Sequence, residues 1–215
     1  MSAIDELKEY SNELLYRIKL GIDYYRAWNE LNIAIRTHSE VIHIANDFFS
    51  VVHESLLNSM MSEIIKLYDE HPNCRSVVKL NRRCMDTNDI NKYLKSCPQK
   101  LDQYLAIRNT FDAYLKKKET IQIIANLKMR RDKYYMHSDK HYFGEIQRLV
   151  DTAPFSFDEA EELFREAFNF CYVIYELLSD SKWQPGIHQT CLVHKRDFSG
   201  LNKLLDMCQQ YNTEP

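Results

Sequence analysis

The chain has 215 residues, of which 45% are hydrophobic and 27% charged, the balance of an ordinary globular protein rather than of a disordered or membrane-embedded one. Only four glycines and five prolines occur, where average usage supplies roughly fifteen and ten, which excludes a fold of many tight β-turns, a Rossmann crevice and a P-loop. The net charge of -3 excludes a surface that attracts nucleic acid everywhere, so any polyanion site must be local.

From Ile4 to about Arg36, the apolar residues Leu7, Leu14, Ile18, Tyr25 and Trp28 recur at helical spacing, with Gly21 as a bend or a close-packing point. From Ser39 to about Asp69, Val41, Ile44, Phe48, Val52, Met60 and Ile64 keep the same spacing, which predicts one long rod. Pro72 and Asn73 stop it, and the polar stretch from His71 to about Thr87 reads as a long connection before a short helix over Asp86 to Leu94. After Pro98 a pattern of nearly forty residues runs to Tyr134 and Tyr135, with a kink expected at the lysines Lys116 to Lys118.

Gly144 and Pro154 bracket a segment that reads as irregular. Ser156 followed by Glu159 forms a capping box, because each side chain can reach the other's unpaired backbone donor. The helix it opens carries a broad apolar stripe from Ala160 to Leu178, and a last short helix is expected from about Ser199 to Tyr211. The expected fold is all-α: an up-and-down bundle of about four long helices over residues 1–180, with a C-terminal loop and short helix over 181–215.

The N-terminal MSAIDELKEY has neither a positive stretch nor an apolar core, and no run approaches the roughly 18 apolar residues of a membrane span. A cytoplasmic protein with no membrane partner is expected. The six cysteines never form a C-x-x-C pair and read as reduced thiols. His188, Cys191 and His194 have a spacing that suits a metal, but no fourth ligand is evident, so no metal is assigned. His53-Glu54 lacks the second histidine of a zinc hydrolase helix.

Chemistry concentrates between Tyr114 and His141. Eight basic residues stand there against three acidic ones, a local net of +5 that leaves -8 for the rest of the chain. Such asymmetry suits an anion such as phosphate held at one place, although a solvated helix face gives the same signal. Inside the patch runs Arg130-Arg131-Asp132-Lys133-Tyr134-Tyr135-Met136-His137. Histidine is the side chain able to give or take a proton at neutral pH, and arginine holds phosphate bidentately without losing its charge.

An arginine, a polar residue directly after it and a histidine six positions on resemble the R-x(4-6)-H signature of the HEPN superfamily of ribonucleases (higher eukaryotes and prokaryotes nucleotide-binding). The run Arg131-Asp132-Lys133 with His137-Ser138-Asp139, together with the LYDE run Leu67 to Glu70, resembles its abortive-infection AbiU-type branch over roughly residues 1–180. Met136 stands where family members commonly have a small residue. The resemblance implies RNA cleavage without metal or other cofactor, at a composite site in a homodimer, by a toxin that an antitoxin protein restrains.

His137 is then the acid or base, Arg131 the phosphate clamp and Asp132 the residue that orients one of them. Arg130, Lys133, Tyr134, Lys140 and His141 are the candidate RNA-binding residues. On a continuous α-helix, residues six apart lie about 120° apart whereas residues seven apart nearly superpose. Either the helix ends or distorts near His137, or Arg130 serves in place of Arg131. A bundle of this type that binds RNA or protein without catalysis, and a helical dimerisation adaptor, are the competing readings.

Overall fold

The computed structural model describes residues 2–86, 88–135, 146–179, 201, 203, 205 and 206, and among them the secondary structure is helical throughout. Helix α1 spans Ala3–Thr37, α2 Ser39–Ile44, α3 Asn46–Leu67, α4 Val77–Asp86 and α5 Asn88–Leu94. They are followed by α6 Pro98–Leu115, α7 Lys118–Arg130, a π-helical turn Arg131–Tyr135, α8 Ile146–Thr152 and α9 Phe157–Ser179. No helix among the described residues is long and apolar enough to cross a membrane. The fold is all-α, as the apolar spacing requires.

The described residues divide into two compact units. The first comprises the chain up to Ile18 and from Ser62 through α9. Its centre is α6 against α9, with α4, α5 and α7 also packed on α6. Phe111 stacks on Phe170 with ring centroids 4.3 Å apart, and Leu163, Phe164, Ala167, Phe170 and Ile174 carry the buried stripe of α9. Buried tyrosine hydroxyls tie the layers together: Tyr68 donates to the Leu163 carbonyl at 2.7 Å and Tyr104 to that of Cys84 at 2.7 Å.

The second unit holds Lys19–Met61 and the described residues near Leu205. Ala34, Val41, Ile42 and Leu205 form its apolar cluster, with Ile35, Phe49 and Leu201 against them. His38, largely buried, bonds through Nε2 to Asp206 at 2.8 Å and through Nδ1 to Thr37 at 2.7 Å. His53 bonds Asn32 at 3.0 Å beside the Trp28 ring, an ordinary satisfied histidine.

Several expectations need correction. The rod expected from Ser39 to Asp69 is broken at Ala45, whose φ of -128° and ψ of 40° leave the helix. The break lets Val41 and Ile42 turn into the cluster with Ala34. The stretch from His71 to Thr87 is not all connection: α4 occupies most of it, because Val77, Leu80 and Cys84 are buried at i, i+3 and i+7. Its exposed basic residues hid that stripe. The segment between Gly144 and Pro154 contains α8, anchored by buried Leu149. The long helix after Pro98 divides at Lys116–Lys117, where the kink was expected, since Lys117 is extended at ψ 139°.

The capping box at α9 is present, with Glu159 accepting from the Ser156 N–H at 2.6 Å and the Ser156 hydroxyl accepting from the Glu159 N–H at 3.2 Å. Gly21 is buried and α1 runs through it unbroken, as a close-packing point would. The cysteines within the described residues are free thiols, and burial pushes Cys84 up to about 12, which makes it inert at neutral pH. The short helix expected near the C-terminus is described only at Leu201, Lys203, Leu205 and Asp206, all helical.

Candidate functional site

Helix α7 positions the basic end of the motif. Its N-terminal half carries Ile121, Ile124 and Ala125, and Leu127 turns into the core. On its last two turns, Asn126 and Arg130 both reach the chain that enters α9. Asn126 Nδ2 donates to the Pro154 carbonyl at 2.7 Å, and Arg130 Nε donates to the Ala153 carbonyl at 2.7 Å. The Arg130 guanidinium also lies 5.9 Å from the Phe155 ring centroid. Arg130 is therefore occupied in holding the turn ahead of α9.

At Arg131 the helix changes pitch. Arg131–Tyr135 form a π-helical turn, a wider turn that occurs mostly singly and often at functional sites. A distortion, one of the two resolutions that the spacing left open, begins at Arg131, and over Arg131–Tyr135 the angular offsets of a continuous α-helix do not apply. Contacts distinguish the two arginines instead. Arg131 Nη1 meets Asp69 Oδ2 at 3.0 Å and Arg131 Nε meets Asp132 Oδ1 at 2.6 Å. The Arg131 and Asp69 side chains are only 24% and 16% exposed, so solvent weakens this ion pair less than a surface one.

Asp69 is itself fixed. Its Oδ1 accepts the His71 N–H at 3.0 Å, and Cys74 Sγ lies 3.7 Å from Oδ2. Burial pushes its carboxyl up, but the His71 N–H and the Arg131 guanidinium outweigh burial and hold it below its usual value. Hydrogen bonding to Asp132, then its charge and that of Asp69, holds Arg131 more firmly protonated still. The next residue, Glu70, takes Lys128 at 2.9 Å and also Arg82, and the Lys128 hydrogen bond chiefly lowers its pKa. Two consecutive carboxylates after α3 thus hold cations from α4, α7 and the π-turn.

These carboxylates are the part of the site that sequence reasoning missed. The LYDE run was visible as a family feature, and its acidic pair answering a basic stretch sixty residues away was the available signal. Arg82 pairs with Glu70, and Arg83 pairs with Glu6.

Of the sequence-assigned residues, the structure brings Arg131 and Asp132 together, sets Lys133 half-buried in the same turn, and directs Arg130 away toward Ala153. The backbone of Tyr134 belongs to the π-turn. The Tyr134 side chain and His137, Lys140 and His141 lie outside the described residues, as do His188, Cys191 and His194. Among the described residues, no group of three or more His, Cys, Asp or Glu could hold a metal ion.

The arrangement holds a guanidinium that is charged at all working pH values between two carboxylates. A model of the AbiU2 family of HEPN domains matches residues 3–192. No curated protein and no solved structure matches the chain.

Proposed function

Because the chain belongs to the HEPN family AbiU2, we propose that it is a metal-independent endoribonuclease that acts as a toxin in abortive infection or in a toxin–antitoxin pair. The observation that carries this reading is the placement of Arg131. The motif arginine stands at the first residue of a π-turn, tethered to Asp69 and Asp132, while its neighbour Arg130 is committed to Ala153. An arginine held this way is charged and fixed in orientation, as a phosphate clamp must be.

RNA is cleaved by its own 2′-hydroxyl when one group removes that proton, another protonates the leaving 5′-oxygen and a cation takes up the charge gathering on phosphorus. His137, six residues after Arg131, serves as acid or base. Arg131 supplies the cation, with Asp132 and Asp69 orienting it. The products are a 2′,3′-cyclic phosphate and a 5′-hydroxyl, so the proton count closes without a metal or any other cofactor. Lys133, Tyr134, Lys140 and His141 bind the strand to either side, and Arg130 borders it while shaping the turn at Ala153. Two copies bring their motifs together in a homodimer, which supplies the second proton-transfer group, and an antitoxin protein holds the activity in check in the cytoplasm.

Incubating total RNA with the purified chain in EDTA tests this directly. The wild type yields fragments ending in cyclic phosphate, and His137→Ala yields none while keeping its helicity. Cleavage that survives in His137→Ala, or that appears only with a divalent ion, would contradict the assignment.

A further inference from the structure

The second unit carries an apolar surface that its described core does not use. On α3, Phe49 packs against the cluster of Ala34, Val41, Ile42 and Leu205, and Met60 is fully buried. On the outward side of the same helix Phe48 is 64% and Val51 63% exposed, and Ile44, the last residue of α2, is 71% exposed. Single apolar side chains at a surface are ordinary, but three large ones this close in the chain mark a contact with another molecule.

The charges around these residues have one sign. Between Arg36 and Lys66 the sequence contains no lysine or arginine, whereas Glu40, Asp47 and Glu54 are all exposed there. At about 100° per residue, Glu54, Asp47, Val51, Ser55 and Phe48 follow one another around about 120° of α3. Asp47 and Glu54 therefore lie one above the other, two turns apart, and border the apolar residues along one flank.

This pattern chooses among possible occupants. A second copy related by twofold symmetry lays the same patch on itself and sets carboxylate against carboxylate. RNA and the anionic surface of a membrane meet the same repulsion. A helix whose apolar seam is flanked by lysine or arginine is attracted on both counts, as paired helices select partners through the charges beside their seam.

We propose that Ile44, Phe48 and Val51 form a docking face for a basic amphipathic helix of a different protein. The seam of that helix rests on these three side chains, its cations face Asp47 and Glu54, and Glu40 adds to the attracting field. The proposal stands on the second unit alone and does not depend on RNA cleavage.

Fluorescence anisotropy of the full chain with labelled helical peptides of about 18 residues, long enough to form a helix on binding, tests this. One peptide carries leucine at i, i+3, i+4 and i+7 with lysine elsewhere, and a second replaces the lysines by glutamate. A third has the composition of the lysine peptide with its leucines out of helical spacing. The wild type binds the first and neither of the others. Phe48→Ser weakens that binding about tenfold or more, the loss typical of a central apolar anchor, and melts with the wild type because the side chain is exposed. Asp47→Lys combined with Glu54→Lys exchanges the preference, so that the glutamate peptide binds and the lysine peptide does not, a gain that unfolding cannot mimic.

Equal binding of the spaced and scrambled lysine peptides, or Phe48→Ser binding like the wild type, overturns the proposal, since attraction to negative charge alone gives both results. Failure of every peptide to bind, as when another part of the chain covers the stripe, overturns it too. A wild-type dimer that Phe48→Ser converts to a monomer in light scattering would assign the face to a second copy instead. Binding to vesicles of phosphatidylserine and phosphatidylcholine that Phe48→Ser abolishes would assign it to a membrane.

Discussion

Helix α9 and the end of α7 lie in the same unit but are built on different principles. In α9 the cap, the apolar stripe and the buried core all agree: Ser156 and Glu159 start the helix, and Phe164, Phe170 and Ile174 bury it. At the end of α7 the regular pitch fails at Arg131, and the side chains of Lys128, Arg130 and Arg131 are held by carboxylates and a carbonyl oxygen. A helix secured by its core can be read from its spacing, and its loss is a loss of stability. A helix end secured by charges from distant segments cannot be read that way, and on the function proposed above it is the end that serves RNA.

The sharpest way to break this contrast is to cut the core. Phe170→Ala, which removes the ring stacked on Phe111, is expected to cost about 3–5 kcal/mol in urea unfolding. A cost below about 1 kcal/mol would mean that α9 is not the anchor described here.

The ionic end responds to pH instead. Asp69→Asn removes the carboxylate that faces Arg131 and destabilises the chain by about 1–3 kcal/mol at pH 7, a buried ion pair being worth more than an exposed one. The folded pKa of Asp69 is depressed, so the contribution is full above the unfolded value of about 3.9 and disappears as pH falls through the lower folded value. Urea melts of wild type and Asp69→Asn should therefore converge below about pH 4. A gap that stays constant with pH would mean that the carboxylate acts through shape alone.

The smallest effect lies at the start of α9. Ser156→Ala removes half of the capping box and should lower stability by about 1 kcal/mol without touching RNA cleavage.

What was legible in the sequence follows the same division. The 3.6-residue apolar repeat revealed α1, α6 and α9, and the lysine run marked the break before α7, because each depends on residues adjacent in sequence. The rod from Ser39 was overextended because Ala45 is a good helix former and only the cluster with Ala34 and Leu205 explains the break. Helix α4 was missed because Lys79, Arg82 and Arg83 dominate its composition, while its three buried apolar residues, Val77, Leu80 and Cys84, occupy one narrow face. At the site, Arg131 and Asp132 were visible as a motif. Asp69 and Glu70 were visible as letters without partners, since nothing local says that residues sixty positions apart will meet. The commitment of Arg130 to Ala153 depends on a carbonyl, and backbone acceptors leave no mark in a sequence.

The most direct measurement compares the cleavage rates of one labelled RNA by wild type, Arg131→Ala and Arg130→Ala in EDTA. Removing a donor that stabilises transition-state charge costs about 100-fold or more. Arg131→Ala should lose about that much rate and, by leaving Asp69 without its cation, also about 1–3 kcal/mol of stability, whereas Arg130→Ala, which frees the turn at Ala153, should lose far less rate. The reverse order, with Arg130→Ala inactive and Arg131→Ala cleaving like wild type, would contradict the assignment of Arg131 as the phosphate clamp.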